Sequence, residues 1–338
     1  MRTIVSQMTH FKLLIILTIA TLTGFKTFAQ NDSTYYVTHN DLLHGRVYAI
    51  KKNATFSYDN KRDGYSLNYL PNTAPGIGIG VTYSWITVNV AYGLNFLNPD
   101  SKGKTRSLDL QIHGYGKKFI LDTFEQFYKG FYLSPQGKGT APGQYYYRPD
   151  LRMNLLGGSF QYVLNNKRFS FRSAFLQSDW QKKSSGSLLI GLEAYGGNIK
   201  ADSSITPSKF LKDGTIRNET KNQFFEIGPT VGYAYTVVVK QHFFVTGSAA
   251  VGLDYGFNTM MASGIRTREN DFIVNPSYRI IAGYNAENWG ISAHYINNGI
   301  RLAGDSEHRL NVNTGAYRIN YVHRFTPGPK IKKLLRKI

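Results

Sequence analysis

Along most of this chain, large apolar residues alternate one for one with small or polar ones, over runs longer than a soluble strand needs. Between 86 and 97, Ile86, Val88, Val90, Tyr92, Leu94 and Phe96 take one face, and Thr87, Asn89, Ala91, Gly93 and Asn95 the other. From 224 to 239, Phe225, Ile227, Val231, Tyr233, Tyr235, Val237 and Val239 stand opposite Glu226, Gly228, Thr230, Gly232, Ala234 and Thr236. The stretch 243–257 repeats the pattern, with Val251, Leu253 and Tyr255 against Gly252, Asp254 and Gly256. A period of two sends alternate side chains to opposite faces of a strand, whereas a helix would scatter them. These runs exceed the usual soluble strand of about 5–6 residues. They match the roughly 9–11 residues that a tilted strand needs to cross a bilayer. A greasy aromatic face beside a small polar one suits lipid outside and a crowded or wet interior. Hydrocarbon offers an unpaired amide no partner, so the ladder must close on itself. The sequence therefore predicts an all-β fold, an antiparallel transmembrane β-barrel of about 12 strands, within a range of roughly 10–14. Val90, Tyr233 and Val251 are expected to face lipid.

Strands are predicted near 54–59, 64–70, 76–83, 86–97, 105–116, 119–133, 151–164, 168–178, 187–198, 222–239, 242–257, 272–285, 288–297 and 315–325. Tight reversals fall at Ser84-Trp85, Lys117-Lys118, Lys240-Gln241 and Ala286-Glu287, and longer polar loops at 134–150, 199–221, 258–271 and 298–314. Short turns at one rim and long loops at the other are what membrane barrels show. Strict alternation breaks between 165 and 221, where no single reversal can be placed.

Residues 1–29 read as an export signal. Arg2 and Lys12 precede the apolar run 13–22, and Thr27-Phe28-Ala29 offers a small-x-small cleavage site. Residues 30–50 are expected as an N-terminal periplasmic segment, 51–325 as the barrel and 326–338 as a basic tail. The tail is either a frayed end or a short amphipathic helix on an anionic surface. The 338 residues carry no cysteine, which removes disulfides, Cys-based zinc sites and thiol nucleophiles. The net charge is +19, and the leader carries only three of the basic residues and no acid. An exported basic chain is expected to meet outer-membrane lipids and lipopolysaccharide, and no nucleic acid.

Several strings resemble a Bacteroidetes family of exported, outer-membrane β-barrel-like proteins classed as a domain of unknown function. They include Tyr69-Leu-Pro-Asn72, Gly78-Ile-Gly-Val-Thr-Tyr-Ser-Trp85, Gly103-Lys-Thr105, Arg148-Pro-Asp150 and Glu226-Ile-Gly-Pro-Thr-Val-Gly-Tyr-Ala-Tyr-Thr236. Over about residues 35–325 the resemblance implies the location and the fold, and no activity.

Two constellations could carry chemistry. His294-Tyr-Ile-Asn-Asn-Gly299 is similar to the His-Tyr-Ser-Asn run of outer-membrane lipid acyl hydrolases, in which His activates Ser two residues on. Here that place is Ile296, so the conceivable pair is Ser292 with His294, with no orienting carboxylate assignable. Glu226 and Asp254 fall nearly opposite each other on the lumen face, with Arg279 and Arg318 as candidate counter-cations. That cluster reads either as a charged constriction or as an ion network filling the interior. His39, Asp41 and His44 match no metal motif and read as a solvated segment. Gly76, Gly78 and Gly80 read as a small-residue strand face. No cofactor or metal is expected.

The sequence thus points to an outer-membrane barrel that is structural or a narrow pore for small solutes, inserted by the barrel-assembly machinery. The alternatives are a lipid acyl hydrolase using His294, and a surface adhesion or assembly partner using loops 134–150 and 199–221.

Overall fold

Ser84, Lys240 and Gln241 take positive φ and reverse the chain between paired strands. Through such turns the alternating segments fold into long antiparallel hairpins. The computed structural model describes residues 32–84, 86–210, 218–304 and 308–329. The elements are β1 Tyr36–Thr38, β2 Leu43–Asn60, β3 Tyr65–Leu70, β4 Gly76–Tyr83, β5 Ile86–Gly93, β6 Arg106–Tyr115, β7 Phe119–Ser134 and β8 Tyr146–Val163. Then come helix α1 Phe171–Phe175, β9 Asp179–Gln181, β10 Ser185–Lys200, β11 Glu219–Val239, β12 Phe243–Ala262, β13 Ile265–Asn285, β14 Trp289–Arg301 and β15 His308–Phe325.

Each strand from β10 to β15 pairs with the next, β8 joins β7 to β10, and β15 returns to β2 along its whole length, from Phe325↔Leu43 to His308↔Asn60. On the other side β2 pairs with β4, β4 with β5, β5 with β6 and β6 with β7. Strands β2, β4–β8 and β10–β15 thus form a closed 12-membered antiparallel ring, the number the periodicity predicts. β3 is wedged between β2 and β7 at the far end. We call the rim at Leu43 and Phe325, where the chain enters and leaves, the terminal rim. The other is the far rim.

The outward face is apolar and open. Val90 is 66% exposed, Tyr233 50% and Val251 45%, so no protein core covers them. Rings mark two levels on this face. Phe243, Tyr284, Trp289 and Tyr321 form a chain of contacts near the terminal rim, and Tyr255, Phe257 and Phe272 cluster higher up. From Phe243 to Tyr255 on β12, at about 3.3 Å per residue and a tilt of roughly 40°, the separation is on the order of 30 Å, close to a hydrocarbon core. The belt and its ring of paired strands make this a transmembrane β-barrel.

Four segments differ from the sequence expectation. β2 starts at Leu43, so 43–50 belongs to the wall and not to an N-terminal segment. His44 is accordingly buried against the Thr82 carbonyl rather than solvated. Most of 258–271 and 298–314 is strand, with only Ser263-Gly264 turning between β12 and β13. Its side chains turn polar there because the ladder continues past the apolar belt into water, and hydropathy tracks burial rather than pairing. The strand expected at 168–178 is instead α1 and its flanks, buried from Phe169 onward. The leader 1–29, Trp85 and the tail from 330 lie outside the described residues.

Candidate functional site

The lumen is filled in three layers. At the terminal rim the β8–β10 connection folds inward as a plug, where β9 pairs with β1. Ser170 caps α1 by accepting from the Ser173 amide, and its hydroxyl donates to Asp179 Oδ2 at 2.6 Å. Arg172 lies 3.4 Å from Asp179 and donates to Asn40 Oδ1. The wall holds the plug by polar contacts: Arg324 donates to the Gln177 carbonyl at 2.8 Å, and Arg46 to the Leu176 carbonyl at 3.1 Å. Trp180 donates to the Gln241 carbonyl at 2.6 Å. Above these, Phe171 and Phe175 stack on each other and pack edge-on to Tyr115, within an apolar cluster that includes Ile120, Leu189 and Ile281.

The middle layer is polar. Arg279 pairs with Asp122 at 2.7 Å, and Asp122 also meets His113 at 2.6 Å and accepts from Tyr115 at 2.8 Å. A cavity of about 70 Å³ lies here, with His113, Asp122, Arg279, Gln111 and Arg318 in its lining. Beside it Asn275 bridges two acids, donating to Glu226 Oε1 at 2.8 Å and Asp254 Oδ2 at 2.7 Å. Tyr195 donates to the nearby Glu193 at 3.4 Å. Among the described residues no group of three or more His, Asp or Glu is arranged to hold a metal.

The far half is a hydrophobic core inside the barrel. Phe56 stacks on Tyr69 at 4.8 Å and meets Phe131 at 5.4 Å, surrounded by Leu67, Leu133, Leu151 and Val312. The loop after β10 turns in over it. Ile205 is buried, its carbonyl accepts from the Tyr69 hydroxyl, and Arg148 clamps the carbonyls of Ser203 and Ser204 while pairing with Asp150 at 2.8 Å.

The structure brings Glu226 and Asp254 together on the lumen face, as their spacing implies, and seats both around Asn275. It does not bring Arg279 or Arg318 to them. Arg279 sits opposite Ser248, whereas Asp254 is opposite Ile273, so their Cα positions are about 20 Å apart along the strands at roughly 3.3 Å per residue, and the Arg279 guanidinium turns to Asp122 instead. Arg318 is on β15, opposite His294, where it stacks on Tyr48 at 3.7 Å and donates to Asn89 Oδ1 at 3.3 Å. Ser292 Oγ is 2.8 Å from His294 Nε2, so that pair exists, but Asn320 shares the same nitrogen at 3.0 Å. Gln177 of the plug accepts from the Ser292 hydroxyl at 3.1 Å and Phe175 sits edge-on to His294, which seals both residues from solvent.

Sequence reasoning missed Asp122, His113, Glu193 and Asn275. Glu193 was findable, since Leu188, Ile190 and Leu192 fix the outer face of β10 and leave Glu193 inside. Asn275 looks like an ordinary strand asparagine until the β12–β13 register sets it across from Gly252, whose missing side chain leaves room for the Glu193 carboxylate.

Fold and interior together define a plugged, closed transmembrane β-barrel. The chain belongs to the family of the domain of unknown function DUF4421, whose model matches residues 30–325. No curated protein matches the chain. Among solved structures it is similar to the outer membrane protease OmpT from Escherichia coli, at 9% identity and TM-score 0.42, over 89% of this chain and 99% of that one. An outer membrane channel from Pseudomonas putida F1 aligns at 8% identity and TM-score 0.28, over 90% and 98% of the two chains. Neisserial surface protein A aligns at 9% identity and TM-score 0.26, over 82% and 96%. The fold assignment rests on the strand pairing and not on these likenesses.

Proposed function

We propose that this chain is an exported outer-membrane barrel that stays closed to solutes and acts as a structural protein of that membrane. The observation that carries the reading is the apolar core across the far half of the lumen, from Phe56 on β2 through Leu133, Leu151 and Ile199 to Val312 on β15. Water does not enter a close-packed apolar interior. The terminal rim, where β2 begins and β15 ends, faces the periplasm, and the far rim faces outward. Outer-membrane lipids surround the belt, lipopolysaccharide meets the far rim, where Lys61, Arg62, Arg266 and Arg268 are exposed, and the barrel-assembly machinery inserts the chain by its last strand, ending at Phe325. A narrow pore would require both the plug and the apolar core to leave the lumen. Planar-bilayer recordings test the reading: insertion should add no conductance above the lipid background, and steady ohmic steps would overturn it.

A second reading, a lipid acyl hydrolase, is favoured by the 2.8 Å contact between Ser292 and His294. Against it stand the seal over the pair and the lack of a carboxylate contacting His294 among the described residues. Fatty-acid release from lipid vesicles that is abolished in S292A would establish it; no release in the wild type is the outcome the closed barrel requires.

A further inference from the structure

The ring is closed, but unevenly. β4 and β5 pair over the full eight residues of each, and β6 and β7 pair from Arg106↔Lys129 to Tyr115↔Ile120. Between β5 and β6 a single pair remains, Ile86↔Gly114 near the terminal rim. Above it, the facing edges of 87–93 and 106–113 carry no backbone ladder among the described residues. One carbonyl on this edge, that of Asp109, is met from inside by Lys52 Nζ at 3.2 Å. The wall is thus pinned at the bottom and parted above, within the belt.

An unpaired edge cannot face hydrocarbon without cost, because lipid offers an unsatisfied amide or carbonyl no partner. Something polar must therefore lie in the slit. Its outer lips are apolar: Val88, Val90 and Tyr92 on β5, Leu108, Leu110 and Ile112 on β6, all exposed. Its inner side carries charge. Asn89 on the β5 lip accepts from Arg318, and Arg318 lines the mid-lumen cavity together with Gln111 and His113 of the β6 lip.

Arg318 has no acidic partner among the described residues. Its one hydrogen bond goes to a neutral amide oxygen, and its buried Nε has no partner. Arg46, within electrostatic reach, is the same: it donates to Thr82 Oγ1 and the Leu176 carbonyl, and its buried Nε is also free. Two guanidinium groups without a counter-anion, Arg46 buried and Arg318 half-buried, are costly unless an anion joins them. Guanidinium nitrogens match phosphate oxygens in geometry and charge. The cavity of about 70 Å³ is several times what one water requires, so a phosphate group fits.

We propose that the β5–β6 slit is a lateral portal that holds an anionic phospholipid. Its phosphate sits at Arg318 beside the free edges of the slit, and its acyl chains pass out between the two lips into the bilayer. The occupant comes from the membrane, because the slit opens through the apolar belt while the lumen is stopped by the plug below and the apolar core above. The inference stands on the barrel and not on its conductance, so either reading can fail alone.

Native mass spectrometry of the full chain in micelles tests it, with phosphatidylglycerol or phosphatidylcholine added and heat-modifiable mobility confirming the fold. The folded protein should retain one phosphatidylglycerol and little phosphatidylcholine. R318Q should lower retention roughly tenfold, the scale of one lost charge-assisted contact. A V88C/I112C pair, clean because the chain has no cysteine, should close the slit when oxidised. Retention should then fall and return with reductant, while millimolar inorganic phosphate should not displace the lipid. Equal retention of both lipids, or unchanged retention in folded R318Q or in the oxidised pair, would overturn the proposal. So would displacement by phosphate alone, which means a free anion, or a lipid-free dimer, which means a second copy covers the edge.

Discussion

The guanidinium of Arg318 sits over the ring of Tyr48, 3.7 Å from its centre, and that ring in turn lies over Gly78 of β4. A Cβ at position 78 would stand 2.3 Å from the Tyr48 ring, so only glycine lets the tyrosine lie down and offer its face to the cation. A stacked, partly desolvated cation–π contact contributes about 1–2 kcal/mol. G78A should therefore tilt Tyr48, undo the stack and destabilise the barrel by about 1–3 kcal/mol, the cost of overpacking. Thermal unfolding in micelles measures it. Y48L should abolish most of the difference between Gly78 and G78A, because the ring that clashes is gone.

Asp122 and Arg279 form the central ion pair of the lumen, and Asp122 carries two further contacts from Tyr115 and His113. Breaking one side of a buried pair leaves a charge without a partner, which costs about 3–5 kcal/mol. D122N should lower stability by that order, and R279Q by a similar amount. The double variant should be clearly more stable than the sum of the two losses, as a double-mutant cycle by chemical unfolding reads directly. Additive losses would mean that the pair does not act as a unit.

The wall of this protein was legible, and its filling was not. Alternation from 224 to 257 marked the outer face correctly because lipid demands large apolar side chains at every second position. Glu226 and Asp254 fell out of the same pattern. What escaped was whatever does not repeat. Residues 169–181 are buried on all sides, so no face of that segment is written in a period of two, and Gln177 even adopts positive φ. The small-residue face at Gly76, Gly78 and Gly80 could be read, but not the tyrosine, asparagine and arginine that fill it from other strands. Strings that carry the family resemblance prove to be clasps. Asn72 donates to the carbonyls of Pro99 and Gly103, and Arg148 pairs with Asp150 while holding Ser203 and Ser204. Their meaning lies in contacts tens of residues away, beyond any local pattern.

Arg324 ties the last strand to the plug. Its Nε and Nη2 donate to the Gln177 carbonyl, Nη2 also to Asn285 Oδ1 at 3.0 Å, and Nη1 to the Ala286 carbonyl at 2.6 Å. R324M keeps most of the side-chain volume and removes every donor, leaving buried acceptors empty at about 1–3 kcal/mol each. The plug should open more often while the wall stays folded. Trypsin cleavage at Arg172, which is buried in the closed state, should rise roughly tenfold or more, since about 1.4 kcal/mol is a factor of ten in the open population. Unchanged cleavage would show that the plug is held elsewhere.

His39 gives the plug a pH dependence. It lies in the connection between β1 and β2, its amide donates to the Ser178 carbonyl, and its buried Nε2 has no partner. Burial and then the Arg324 charge hold its imidazole below the ordinary value of 6.5, against the opposing pull of Asp179 and Asp41, with Lys182 adding to the depression. A base whose folded value is depressed takes up a proton more readily once its surroundings open. The neutral imidazole therefore supports closure fully at alkaline pH, and that support is lost as the pH falls below about 6.5. Hydrogen exchange across 169–181 should be slow at pH 8 and, after correction for the intrinsic rate, faster at pH 5. H39Q has no charge to gain and should flatten that difference. A slope that persists in H39Q would assign the response to another group.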